Sequence, residues 1–153
     1  MGLFDAIDIS GSGLSAERLR MDVTAENLAN AQTTRTAAGG PYRRKEVVLQ
    51  EVGGPGSFGS ALAGAMGSSP IGSAASTPGG VEVSGIVADP TPDRLVYDPG
   101  HPDANAQGYV QMPNVNPVTE MVDLITASRS YEANVTAMQT AKQMFSKTLD
   151  LLK

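Results

Sequence analysis

Chemistry requires acids, bases, nucleophiles or metal ligands held within reach of one another, and this chain supplies few of them. There is one histidine, His101, in the stretch DPGHPDAN, and there is no cysteine. No local spacing gives His101 the partners that a hydrolytic triad or a zinc site needs, so it reads as a solvated loop residue. Glu120 and Asp123 could be drawn as an acid/base pair, but at the first turns of a helix they are explained by the positive end of its dipole. GSGLSA, Gly11 to Ala16, matches the dinucleotide pattern G-x-G-x-x-A. It has no preceding strand and no βαβ setting, and so reads as a glycine hinge ahead of a helix. The sequon at Asn134 falls inside a predicted helix and is coincidental there. Arg43, Arg44 and Lys45 form a short basic cluster that is either a solvated edge or the partner of an acidic neighbour. The expectation is a protein without catalytic residues, metal or cofactor.

Composition sets further bounds. A chain of 153 residues with 17 Gly, 10 Pro, 5% aromatic residues and no Trp has little bulk for a central core. A formal net charge of -5 argues against a nucleic-acid partner. The absence of cysteine excludes disulfides and thiolate metal sites. MGLFDAIDIS lacks a basic n-region and a long apolar run, so no cleaved signal peptide is expected. No stretch is apolar for long enough to suggest direct membrane insertion.

The elements that must carry any function lie at the two ends. Over the first thirty residues Ile7, Leu14, Met21 and Leu28 recur at sevens, with Phe4 and Ala25 on the alternate position of the seam. Glycine costs about 1 kcal/mol in a helix interior, so SGSG, Ser10 to Gly13, predicts a break and the main helix runs from about Leu14 to Asn30. In the last third Leu124, Tyr131, Met138, Phe145 and Leu152 repeat the pattern, with Met121, Val135 and Leu149 on the adjoining seam position. Asn116 followed by Pro117 reads as an N-cap and first helical residue, which predicts a helix from about Pro117 to Leu152. Between the helices KEVVLQEV, GVEVSGIV, RLVYD and GYVQM read as strands. Gly53 to Gly80 is rich in Gly, Ser and Ala and reads as a flexible loop.

The fold class expected is therefore mainly α with a small β element, its N- and C-terminal helices forming an antiparallel coiled-coil hairpin around a β/loop-rich middle. Three segments follow: 1–34, an N-terminal helical segment; 35–115, a middle region containing the loop 53–80; and 116–153, a C-terminal helix packing on the first. Heptad stripes at both ends, with alanines on the remaining faces, predict an assembly surface rather than only an internal core. The residues expected to form it are Leu14, Met21, Asn27, Leu28, Asn30, Leu124, Arg129, Tyr131, Glu132, Asn134, Met138 and Phe145. Polar groups among them would select one register over its neighbours. A small monomeric helical-hairpin binding module or adaptor is the alternative reading.

Two segments carry a resemblance. GLSAERLRMDVTAENLANAQTT, Gly13 to Thr34, resembles the N-terminal signature of bacterial flagellar rod and hook axial proteins. MPNVNPVTEMVDLITASRSYEANVTAMQTAK, Met112 to Lys142, is similar to the C-terminal helix of the proximal-rod members of that family, as is DRLVYDPGHPDANAQGYVQMPN ahead of it. Gly53 to Gly80 departs from the family pattern. The resemblance implies a non-enzymatic subunit of the basal-body rod, the hollow shaft that crosses the periplasm, conducts motor torque and encloses the export channel. Implied partners are copies of itself, other rod proteins and the flagellar type III export apparatus that would deliver it unfolded. Under that reading Asn27 and Asn30 end a helix while offering amides to a neighbouring subunit.

Overall fold

The computed structural model describes residues 3–37, 39–52 and 79–150. Its elements in chain order are α1 (Leu3–Ala29), β1 (Lys45–Glu51), β2 (Val81–Ala88), β3 (Arg94–Tyr97), β4 (Tyr109–Met112) and α2 (Pro117–Asp150). The architecture is mainly helical with a small β element. Residues 53–78 of the expected loop lie outside the described residues.

One expectation about α1 is overturned: the helix runs unbroken through Ser10 to Gly13. The helix runs alongside α2 here, and the approach is tight at Gly13 and of ordinary contact distance at Gly11. A Cβ on Gly13 would stand 3.0 Å from Nδ2 of Asn134, and one on Gly11 3.9 Å from Cε of Met138. Serines beside these glycines also bond into the helix: Ser12 Oγ donates to the Ile9 carbonyl at 2.8 Å and Ser15 Oγ to that of Gly11 at 3.1 Å. Close helix approach outweighs the intrinsic cost of glycine here.

At its other end α1 stops at Ala29, where Asn30 folds back and donates from Nδ2 to the Glu26 carbonyl at 2.9 Å. Thr33 Oγ1 in turn donates to Asn30 Oδ1 at 3.2 Å. Helix α2 begins as its sequence requires: Asn116 Oδ1 accepts from the Val118 amide at 3.1 Å, and Pro117 occupies the first helical position. Its 34 residues give a length of about 51 Å at 1.5 Å per residue. The helices are antiparallel: Gly11 faces Met138 and Gly13 faces Asn134, while Asn27 bonds Glu120.

Strands β1 and β2 form one two-stranded sheet and β3 and β4 another. The Asp89 amide donates to Arg44 at 2.8 Å and the Val52 amide to Gly80 at 2.8 Å, which makes the first pair antiparallel. The second pair is antiparallel with Leu95 opposite Gln111 and Tyr97 opposite Tyr109. Gly108 precedes β4 at a φ of +82, where a Cβ would stand 2.9 Å from the Tyr97 ring. A left-handed residue without a side chain is what lets Tyr97 and Tyr109 meet edge to face, their centroids 5.3 Å apart.

The chain divides into two compact units, each holding part of both helices. The first comprises Met1–Ala16, Leu49–Val83 and Tyr131–Lys153; the second comprises Glu17–Val48 and Ser84–Ser130. Among the described residues the first unit buries Ala16 and Ala141. Ser12 Oγ there accepts the Val81 amide at 3.0 Å, tying α1 to β2. The second unit buries Val23, Thr24, Asn27, Ala31, Tyr42, Val110, Pro113, Val115, Glu120 and Ala127.

Candidate functional site

The most constrained place in the second unit is a polar cluster built around Asn27. Its side chain is 1% exposed and has every hydrogen-bonding valence filled. Nδ2 donates to the Lys45 carbonyl at 2.8 Å and to Glu120 Oε2 at 3.0 Å. Oδ1 accepts from the Lys45 amide at 2.9 Å and from the Tyr42 hydroxyl at 2.9 Å. One side chain thus joins the last turn of α1, the start of β1 and the first turns of α2. The expectation that Asn27 offers its amide to a neighbouring subunit is corrected by this geometry, because both donors and both acceptor positions are taken inside the chain. Asn30 likewise serves as a C-terminal cap of its own helix.

Glu120, also 1% exposed, receives the Arg44 Nε at 2.6 Å on its other oxygen. Its burial and its two donors show that it is a paired anion, not only a carboxylate placed for a helix dipole. Arg44 extends the cluster outward, reaching Glu46 at 3.3 Å, Asp123 at 3.6 Å and Asp89 at 3.7 Å. Of the two readings of the basic triplet, Arg44 follows the acidic-partner reading, while Arg43 is exposed. The hydrogen bond to Glu120 leads the effects that raise the Arg44 pKa. Hydrogen bonds from the Thr91 hydroxyl and amide hold the Asp89 carboxyl below its ordinary range, with Arg44 adding to the shift. Burial pushes the Tyr42 phenol up to about 12, and the charges of Glu26 and Glu120 add to it. Lys45 closes the edge, with Nζ 2.6 Å from Glu26 and 5.7 Å from the Tyr42 ring centroid.

This arrangement can do little chemistry on a substrate. Its acids and bases are bonded to one another, and what it does is lock three segments into one register.

Most of the residues expected at the assembly surface turn inward. Leu14, Met21, Leu28, Leu124, Tyr131, Asn134 and Met138 are half-buried within their own chain, whereas Arg129, Glu132 and Phe145 are exposed. The outward face of α2 carries a different apolar stripe: Val118 is 64% exposed, Met121 45%, Val122 57% and Ile125 54%. Sequence reading passed over Val118, Val122 and Ile125 because the heptad seam dominated the pattern. The signal was present in their own spacing of four and three. Tyr42, Arg44 and Glu120 were missed as partners because Asn27 and Glu120 are 93 residues apart and Arg44 and Glu120 are 76 apart.

Both helical ends match models of flagellar rod proteins. The model described as flagella basal body rod protein covers residues 7–35. That of the flagellar basal body rod FlgEFG protein C-terminal region covers residues 106–151. Both matches are to flagellar basal-body rod proteins. Similarity to single proteins extends over the whole chain. The flagellar basal-body rod protein FlgC of Bacillus subtilis (strain 168) is 50% identical over 157 residues, 100% of this chain and 100% of that protein. The proteins of the same name from Yersinia enterocolitica and Salmonella typhimurium (strain LT2) are 45% and 42% identical, each over 99% of this chain and 98% of their own. The chain belongs to the FlgC family of flagellar basal-body rod proteins.

Proposed function

We propose that this structural subunit of the basal-body rod polymerises through its two terminal helices, joining copies of itself and other rod proteins into a hollow shaft. The shaft carries motor torque and surrounds the export channel, and its subunits arrive through the flagellar type III apparatus. The buried cluster of Asn27, Arg44 and Glu120 supports this reading by giving the second unit an internal brace that can bear load. Catalysis is not part of this role.

The observation that carries the reading is the outward stripe of Val118, Met121, Val122 and Ile125, apolar surface that folding of the chain leaves in water. Such a stripe on a helix is characteristic of a surface meant for another protein. Val122→Asp tests it. Val122 is 57% exposed, so the change leaves the fold of the free chain intact, but it puts an unpaired charge where a neighbour must pack. The expected result is an unchanged circular dichroism spectrum, loss of motility in cells dependent on the variant, and absence of the subunit from isolated basal bodies. Motile cells with the variant in complete rods would overturn the reading.

A further inference from the structure

The outward faces of the two helices in the second unit are complementary. On α1, Asp22, Ala25 and Ala29 are exposed and share one face, being three and four residues apart. It is a shallow face of two methyl groups, with Asp22 one turn earlier and exposed Arg18 one turn before that. On α2 the exposed face is a ridge, Val118, Met121, Val122 and Ile125, followed one turn later by exposed Arg129. Among the described residues neither Asp22 nor Arg129 takes part in an ion pair.

From these faces we infer that the α2 ridge of one copy seats antiparallel on the α1 face of a second copy, Ile125 over Ala25 and Met121 over Ala29, so that Arg129 meets Asp22. The inference rests on the rod-subunit reading and specifies the surface and register through which one copy holds the next.

Size and charge both argue for it. Large side chains pack best against a neighbour whose residues are small, because the helix axes can then approach to about 8 Å. Placing Ala25 opposite Ile125 in the antiparallel sense brings Ala29 opposite Met121 and Asp22 opposite Arg129 to within one residue. A parallel setting with Ala25 opposite Val122 instead puts Asp22 against Val118 and Thr119, and carries Arg129 beyond the end of α1. Of these two settings, only the antiparallel one brings Asp22 to Arg129. The two faces are different surfaces of one chain, so each copy offers α2 to one neighbour and α1 to another. A contact of that kind is heterologous and builds an open assembly.

Charge exchange tests the pairing. Asp22→Arg and Arg129→Asp each place like charges opposite one another in every contact between copies, while both positions are exposed and leave the folded chain undisturbed. Each single variant is expected to lower recovery of the subunit in isolated basal bodies about tenfold. The double variant, which restores opposite charges with their signs exchanged, is expected to recover at least about half of the wild-type level. A double variant as poor as the singles, or singles that assemble like wild type, would overturn the inference.

Since the chain has no cysteine, an introduced thiol is the only one it carries, which permits a second measurement. Copies carrying Ala25→Cys are mixed in one cell with copies carrying Ile125→Cys, and basal bodies are oxidised. A disulfide-linked dimer that requires both variants supports the contact. Both variants present in basal bodies without that dimer overturn it. Wild-type subunit absent from isolated basal bodies would instead sink the rod reading on which the inference rests.

Discussion

The two units of the chain solve the same problem, holding an antiparallel pair of helices in register, by opposite means. The second unit buries ten of its described residues and threads a saturated polar cluster through them. Asn27 and Glu120 there join α1 to α2 across 93 residues of sequence. In the first unit the described buried residues are two alanines, and the helix contacts include two glycines facing Asn134 and Met138. Buried polar groups specify one arrangement because every displaced partner would be left unsatisfied. Alanine and glycine contacts are short-ranged and slide more easily. Among the described residues the second unit carries a buried brace of its own, and the first, under the proposed rod role, is expected to gain most from neighbours.

The sharpest way to break that contrast is Glu120→Ala. It removes the acceptor of Arg44 Nε and of one Asn27 amide hydrogen at a buried site, which costs about 3–5 kcal/mol, with Glu46, Asp89 and Asp123 left as the more distant neighbours of Arg44. Chemical denaturation followed by the second unit's tyrosine signal should show a loss of that order. Asn27→Ala comes next, at about 3 kcal/mol, because the Lys45 backbone, the Tyr42 hydroxyl and Glu120 each lose a partner. Tyr42→Phe removes one hydrogen bond while keeping the ring, and about 1 kcal/mol is expected. In the first unit Gly13→Ala should be felt less than the cluster variants, since the terminal amide of Asn134 can rotate away from the new methyl 3.0 Å distant. Lys45→Ala, at a half-exposed pair with Glu26, should shift stability by less than about 1 kcal/mol.

Tyrosine titration sharpens the comparison without mutation. Tyr42 in the folded chain ionises near 12, above its ordinary 10.0. Between those values the unfolded chain gives up the phenol proton and the folded chain retains it. The stabilisation is therefore complete below pH 10 and is lost as pH rises from 10 towards 12. Absorbance near 295 nm should show a late step from Tyr42, and that step should vanish in Tyr42→Phe.

Much of the fold was legible because the signals are local. The Asn116 and Pro117 pair announces where α2 starts, and alternation in KEVVLQEV and GVEVSGIV marks β1 and β2 within a residue or two. The break expected at Ser10 to Gly13 failed because glycine propensity is a local cost, whereas the need for close approach to Asn134 and Met138 is set by a helix more than a hundred residues away. The site was less legible for the same reason. Asn27 was picked out as an odd residue for its place, but its partners could not be read from spacing, and its amide proved to be directed inward. Leu14, Met21 and Met138 show the related limit: a heptad stripe tells which face is buried, not whether the partner is the same chain. The outward stripe from Val118 to Ile125 was written in the sequence as a second, weaker pattern.

Hydrogen exchange of the purified chain, measured peptide by peptide and repeated on isolated basal bodies, tests the division of labour most directly. The free chain should protect the amides of Glu17 to Ala29 and Pro117 to Ser130 while Leu3 to Ala16 and Tyr131 to Asp150 exchange rapidly, and assembly should protect all four segments. Equal and strong protection of all four in the free chain, unchanged on assembly, would contradict it.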